Sequence, residues 1–112
     1  GKVSIILPLP VGRQDVKKFS YLHRGTNTLA FRLPAKKSLT TLLKKTGPLV
    51  APSVNTEKKT PAKTIIEAKK YFGEKVDFYF NAGKINSLPS TLIAVKNKKI
   101  IVLREGVVKI QK

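Results

Sequence analysis

Short apolar runs rich in β-branched residues recur along this chain, and each is cut off by proline, glycine or a turn-forming polar residue. Val3-Ser4-Ile5-Ile6-Leu7 stops at Pro8 and Pro10, Thr28-Leu29-Ala30-Phe31-Arg32-Leu33 stops at Pro34, Leu49 to Ala51 runs into Pro52, and Val76-Asp77-Phe78-Tyr79-Phe80 runs into Asn81. Such residues suit a pleated, half-buried surface, and proline cannot donate to a sheet ladder, so these segments predict strands with fixed ends. The runs Thr91 to Val95 and Ile100 to Leu103, joined through Asn97-Lys98-Lys99, predict a β-hairpin. Two helices interrupt the strands. Leu39, Leu42 and Leu43 fall at i, i+3 and i+4 with Gly47 beyond them, which predicts a helix over roughly residues 36 to 45 ended by a left-handed glycine. Thr64 and Glu67 have capping-box spacing, and Ile65, Ala68 and Phe72 form one stripe that stops at Gly73. Residues 11 to 26 lack a period and read as a basic connection; Thr56 to Lys63 reads as a loop. This order predicts an α/β (α+β) fold, a twisted mixed sheet with helices packed on it. Helical crossovers favour parallel neighbours, whereas the terminal hairpin must be antiparallel.

With 112 residues the chain fits one domain. It has no Cys and a single histidine, His23, which excludes disulfides, thiolate nucleophiles and multi-histidine metal sites. Asp15, Glu57, Glu67, Glu74, Asp77 and Glu105 show no paired spacing for acid and base roles, so no catalytic residue and no metal ligand is assigned. His23 itself reads as a solvated residue of the basic connection. No apolar run is long enough to cross a bilayer and no signal-peptide pattern opens the sequence, so the chain reads as soluble and cytoplasmic, without a membrane partner. Methionine is absent even at position 1, and Gly1 reads as an internal cut.

The 23 Lys and Arg against 6 Asp and Glu give a formal charge of +17, a field that attracts phosphates and polyanions. Lysines supply affinity without selectivity; the four arginines, Arg13, Arg24, Arg32 and Arg104, carry the planar fork of donors suited to specific anion contacts. Several strand ends also bear one polar tip on an apolar segment. Ser53 and Asn55 follow a greasy run in "GPLVAPSVN", and on extended backbone they point the same way. Thr28 and Arg32 bracket another run, Ser90 opens one, and Arg104 closes the last before Gly106. Proline, serine and asparagine are also ordinary turn formers, and an arginine at a strand end is often solvated. Taken together the positions describe a polar rim for a phosphate-bearing ligand, held by neither of the glycine-rich nucleotide loops, whose patterns do not occur.

"NTLAFRLP", "GPLVAPSVN", "TPAKTIIEAKKYFG", "VDFYFNAG", "PSTLIAV" and "IIVLREG" resemble, in sequence and spacing, the second half of the YrdC-like family, the threonylcarbamoyl-AMP synthases; "GKVSIILPLP" is similar to the family's Pro-Gly-x-x-Thr strand. The resemblance implies that residues 1–112 are the C-terminal portion of one YrdC-like domain, incomplete at its N-terminus. It implies an L-threonylcarbamoyladenylate synthase, a nucleotidyltransferase that joins L-threonine, bicarbonate and ATP to give threonylcarbamoyl-AMP and pyrophosphate for N6-threonylcarbamoyladenosine in tRNA. Arg32, Ser53 and Ser90 would bind L-threonine; Thr28, Asn55, Thr64 and Arg104 would bind ATP, with Lys63 an alternative to Thr64. Mg2+ would accompany the ATP, and tRNA-modification transferases would be partners.

The family's N-terminal half, with its Lys-x-Arg element and threonine-binding Thr, has no counterpart in the sequence. Glu57-Lys58 replaces Ser-Gly after Ser-x-Asn, and Asn81-Ala82-Gly83 stands where Asp-Gly-Gly is common. The expectation is a chain inactive alone, or active only when the missing segment is supplied as a second chain. Two other readings stay open. One is a non-catalytic basic module of the same fold that binds tRNA or double-stranded RNA; the other is a carbamoyl-transfer relative such as a hydrogenase-maturation domain.

Overall fold

A computed structural model describes residues 1–10, 12 and 14–111 of the chain. The chain divides into two compact units, Gly1–Gly47 with Leu88–Lys112, and Pro48–Ser87.

The first unit is built on a four-stranded sheet. Strand β1 (Val3–Pro8) is central; β2 (Thr28–Phe31) pairs with it antiparallel, β3 (Thr91–Lys96) pairs with it parallel, and β4 (Lys99–Arg104) closes the far edge antiparallel to β3, in the order β2-β1-β3-β4. The sheet is mixed, as the alternation of strands and helices requires. Its nearly continuous apolar run fits β1 for a place with neighbours on both sides, and Pro8 falls at the strand's end, opposite Thr28. The β3–β4 hairpin turns on two residues, Asn97 and Lys98, with φ of 51° and 60°. Two successive positive φ values define the turn type whose twist matches that of the flanking strands.

The basic connection is more ordered than its composition suggests. It holds two short helices, α1 (Gln14–Lys18) and α2 (Ser20–His23), and α2 lies against β2; residues 11 and 13 of the connection lie outside the described residues. His23 is buried, at 7% exposure, and not solvated. The Gly25 N–H donates to its Nδ1 at 3.1 Å, so the ring proton sits on Nε2 and donates to the Val16 carbonyl at 2.9 Å. Helix α3 (Lys37–Thr46) ends at Gly47. That glycine has the expected positive φ, 78°, but its ψ of −168° puts it in a region open to glycine alone, not in the left-handed helical well. The leucine stripe of α3 meets no other helix or strand among the described residues, and Leu39 and Leu42 are exposed.

In the second unit, helix α4 (Ile65–Phe72) starts where the sequence places it. The Thr64 hydroxyl accepts from the Glu67 N–H at 3.2 Å, and the Glu67 carboxylate accepts from the Lys63 N–H at 2.7 Å, one residue ahead of the usual capping-box partner. Ala68 on its inner face is buried and Ile65 and Phe72 are half-buried. Leu49 to Ala51 and Val76 to Phe80, both expected as strands, are irregular. Their composition suits strands, but a strand requires a ladder partner, and neither has one among the described residues. No helix is long and apolar enough to cross a membrane among the described residues.

Candidate ligand-binding site

In the sheet unit the polar tips collect at one end. Strands β1 and β3 run the same way and β2 and β4 run against them, so the starts of β1 and β3 lie level with the ends of β2 and β4. Ser4, Ser90 and Arg104 meet there, and Arg32 directly follows Phe31, the partner of Ile5. One further step in that register sets Arg32 beside Ser4. Side chains two apart on a strand share a face, and directly opposed residues point to the same side. Ser4 pairs with Leu92, and Leu92 with Arg104, which puts Ser4, Ser90, Arg32 and Arg104 on one face.

Hydrogen bonds fix this corner. The Ser4 and Ser90 hydroxyl oxygens are 2.7 Å apart, and the Arg104 Nη2 donates to the Ser90 carbonyl at 3.0 Å. Ser90 is buried. Next to it Thr91, wholly buried on the other face, donates its hydroxyl proton to the Val108 carbonyl at 2.5 Å and accepts from the Val108 N–H at 3.2 Å. The chain leaving β4 then folds back over Ser90: the Val107 N–H donates to the Pro89 carbonyl at 3.0 Å. A Cβ on Gly106 would stand 2.2 Å from the Pro89 oxygen and 2.6 Å from the Ser90 carbonyl carbon, so only glycine permits this approach. The glycine of "LREG" is thus explained by contact with Ser90.

Thr28 is not part of this cluster. It opens β2 opposite Pro8, at the other end of the sheet, roughly 13 Å along the strand from Arg32 although on the same face. Its hydroxyl donates to Thr26 Oγ1 at 3.2 Å, and Thr26 in turn donates to the His23 carbonyl at 2.6 Å.

The second unit has its own groove, of about 570 Å³, between α4 and the segment Val76 to Phe80. Its walls are mostly apolar, with Phe72, Phe78 and Phe80 among them, and Ser53, Lys63 and Thr64 supply polar edges. Ser53 and Thr64 therefore share a groove. Asn55 does not line it, because the backbone bends: the Asn55 N–H donates to the Ser53 carbonyl at 3.0 Å, which breaks the extended geometry that would have aimed both side chains one way. The Asn55 Nδ2 donates to the Thr56 carbonyl at 2.9 Å, while its Oδ1 is buried without a partner. A buried carbonyl oxygen left without a donor is costly. Thr64 accepts its cap bond through a lone pair and keeps its hydroxyl proton for other use.

Ser4 and Gly106 were not among the sequence-derived candidates. The available signal for Ser4 was its place as the one hydroxyl within an apolar strand; Gly106 was visible only as part of a motif. Among the described residues no group of three or more His, Cys, Asp or Glu could hold a metal ion.

Known proteins resemble this chain in sequence and in fold. The family model Sua5/YciO/YrdC, described as telomere recombination, matches residues 1–106. A protein of Methanocaldococcus jannaschii whose name assigns it as a threonylcarbamoyl-AMP synthase is 34% identical over 113 residues, covering all of this chain and 50% of the relative. The crystal structure of P. abyssi Sua5 complexed with L-threonine superposes with a TM-score of 0.74 at 23% identity, over 95% of this chain and 30% of that one. The chain thus spans about half the length of the archaeal relative and less of the crystallised protein. From the match along almost its whole length and the shared mixed sheet, the chain belongs to the Sua5/YciO/YrdC family.

Proposed function

We propose that this chain is the C-terminal portion of an L-threonylcarbamoyladenylate synthase domain, a nucleotidyltransferase acting in the cytoplasm on the route to N6-threonylcarbamoyladenosine in tRNA. The overall conversion takes L-threonine, bicarbonate and ATP to threonylcarbamoyl-AMP, pyrophosphate and water. The observation that carries the reading is the polar corner of the sheet, where a guanidinium and paired hydroxyls share one face in a chain of this family. In support stand the archaeal relative's name and the L-threonine bound by the P. abyssi protein.

Each residue has a role suited to its chemistry. Arg32 pairs with the threonine carboxylate through its planar fork, and Ser53 and Ser90 offer hydroxyls to the same substrate. Arg104 uses one of its five N–H donors on Ser90 and directs the remainder to nucleotide phosphate. Thr28, Asn55 and Thr64 fix the register of ATP, the hydroxyls and the carboxamide serving as its hydrogen-bonding partners. No side chain forms a covalent intermediate: the rate enhancement comes from holding the amine of threonine, the bicarbonate carbon and the α-phosphate in line, and from positive charge placed where negative charge develops. Mg2+ arrives with the nucleotide, held by its phosphates.

The chain works with the N-terminal half of such a domain and is inactive by itself. Exposed apolar side chains support this, including Leu49 and Val50 and the aromatic rings of Phe78 and Phe80, which are the surfaces a further layer would cover. The decisive experiment is calorimetric titration of ATP and L-threonine into the chain alone and into the chain supplied with the N-terminal half of a family domain, repeated with Asn55→Ala. Binding of both ligands by the complemented chain, with ATP affinity lowered at least tenfold by Asn55→Ala, is expected. Adenylate formation by the chain alone would contradict the dependence on a second segment. The charge of +17 favours a second reading, a basic module for tRNA or double-stranded RNA. RNA affinity that falls steeply with salt and ignores Ser53→Ala and Asn55→Ala, with no ligand heat from ATP or L-threonine, would replace the enzymatic reading with that one.

A further inference from the structure

We propose that Ser4 is the positioning residue for Ser90: it holds the Ser90 hydroxyl in the single orientation that meets L-threonine. This rests on the assignment of Ser90 to the threonine site made above.

Almost every freedom of Ser90 is already removed. Its residue is buried, its carbonyl accepts from Arg104, and the backbone of Gly106 presses on the Pro89–Thr91 peptides so closely that no side chain fits between. What is left is rotation about χ1, which has three staggered wells for a serine. The half-buried Ser4 hydroxyl, 2.7 Å from that of Ser90, selects one of them. Ser4 has no other evident reason to be polar. It is the sole polar side chain in β1, in the centre of the sheet, where Val, Ile and Leu occupy the neighbouring places. A hydroxyl there costs packing and needs a partner, and Ser90, on the next strand and the same face, is that partner.

The pairing also limits what Ser90 can offer. A serine hydroxyl has one proton and two lone pairs. If Ser90 donates to Ser4, its open lone pairs face the ligand and suit an ammonium or hydroxyl group. If Ser4 donates, Ser90 keeps its proton for a carboxylate. In both cases the ligand meets a fixed group and not one averaged over three wells. Removing Ser4 lowers the fraction of molecules with Ser90 in the competent orientation, and apparent affinity falls with that fraction. The expected loss is roughly threefold from the rotamers alone and up to about tenfold when the polarising hydrogen bond is included.

Two measurements test this. The first needs no ligand: three-bond couplings that report the Ser90 χ1 angle, in the chain and in Ser4→Ala and Ser4→Thr. One rotamer in the parent and in Ser4→Thr, and averaged couplings in Ser4→Ala, are expected; unchanged couplings in Ser4→Ala overturn the proposal. The second is L-threonine affinity, measured on the complemented chain. Ser4→Ala should weaken L-threonine three- to tenfold and leave ATP affinity unchanged, Ser4→Thr should restore it, and in a Ser90→Ala background Ser4→Ala should have no further effect. An equal loss in that background, or an equal loss of ATP affinity, overturns the positioning role. If the parent binds no L-threonine, the threonine assignment of Ser90 falls, and the χ1 couplings still decide whether Ser4 orients it.

Discussion

The two units of this chain both leave large apolar side chains exposed, Leu33 and Leu88 in the first and Phe78 and Phe80 in the second, and differ in how they hold their polar groups. In the sheet unit, polar groups are buried and paired: Thr91 with Val108 and Ser90 with Ser4 and Arg104 at the β3–β1 junction, and His23 with Val16 and Gly25 in the connection before β2. In residues 48–87 one small side chain, Ala68, is buried, while Phe78 and Phe80 keep 81% and 85% of their surface exposed. Burying a phenylalanine is worth about 1.5–3 kcal/mol, so the second unit leaves unused much of the stabilisation its sequence provides for. The lesson is that the sheet corner is fixed by hydrogen bonds between residues far apart in sequence, whereas in residues 48–87 the side-chain hydrogen bonds are local.

Substitutions separate the two cases. The largest effect is expected from Gly106→Val, which drives a side chain into the backbone of Pro89 to Thr91 and should cost about 3 kcal/mol or more, read as a lower denaturant midpoint. A cost below 1 kcal/mol would show that the corner yields easily and is not the rigid part of the chain. Thr91→Val keeps shape but strips Val108 of both partners, and it should destabilise by about 1–3 kcal/mol with faster amide exchange at Val108. In the other unit, Thr64→Ala removes the cap of α4 and should cost about 1 kcal/mol. That loss should appear as fraying of Ile65 to Ala68 in hydrogen exchange, with the sheet amides untouched; equal changes in both units would erase the contrast. The smallest effect is a gain. Lys98→Gly relieves a positive φ of 60° in the hairpin turn and should stabilise the sheet by about 0.5 kcal/mol, raising the midpoint slightly.

What could be read in the sequence follows the same division. The hairpin was legible because its signal is local: two β-branched runs and a turn whose residues tolerate positive φ. The start of α4 was legible for the same reason, since Thr64 and Glu67 lie three residues apart and satisfy each other's surroundings. Leu49 to Ala51 and Val76 to Phe80 misled, because composition reports that a segment suits a sheet and says nothing of whether a partner strand is at hand. The site was legible in the same measure. Arg32, Ser90 and Arg104 stood out as polar tips on apolar strands, and strand direction brings them to one end. Thr28 stood out equally and lies at the other end, because four residues along a strand are a long way when the strand is straight. Asn55 was misplaced relative to Ser53 by a bend that Pro52 and Ser53 announce only weakly. Ser4 escaped notice because its importance lies in a contact with a residue 86 positions away.

The proposed function has L-threonine received at the corner of the sheet by Arg32 and Ser90, with Ser4 holding Ser90 and Arg104 beside it turned to nucleotide phosphate. Backbone amide shifts recorded while L-threonine is titrated into the complemented chain test it most directly. The account predicts saturable shifts at these four positions with one dissociation constant, and none at Pro8's partner Thr28 at the opposite end of the sheet. Shifts that cluster at Thr28 and leave Ser90 and Arg32 unmoved would contradict it.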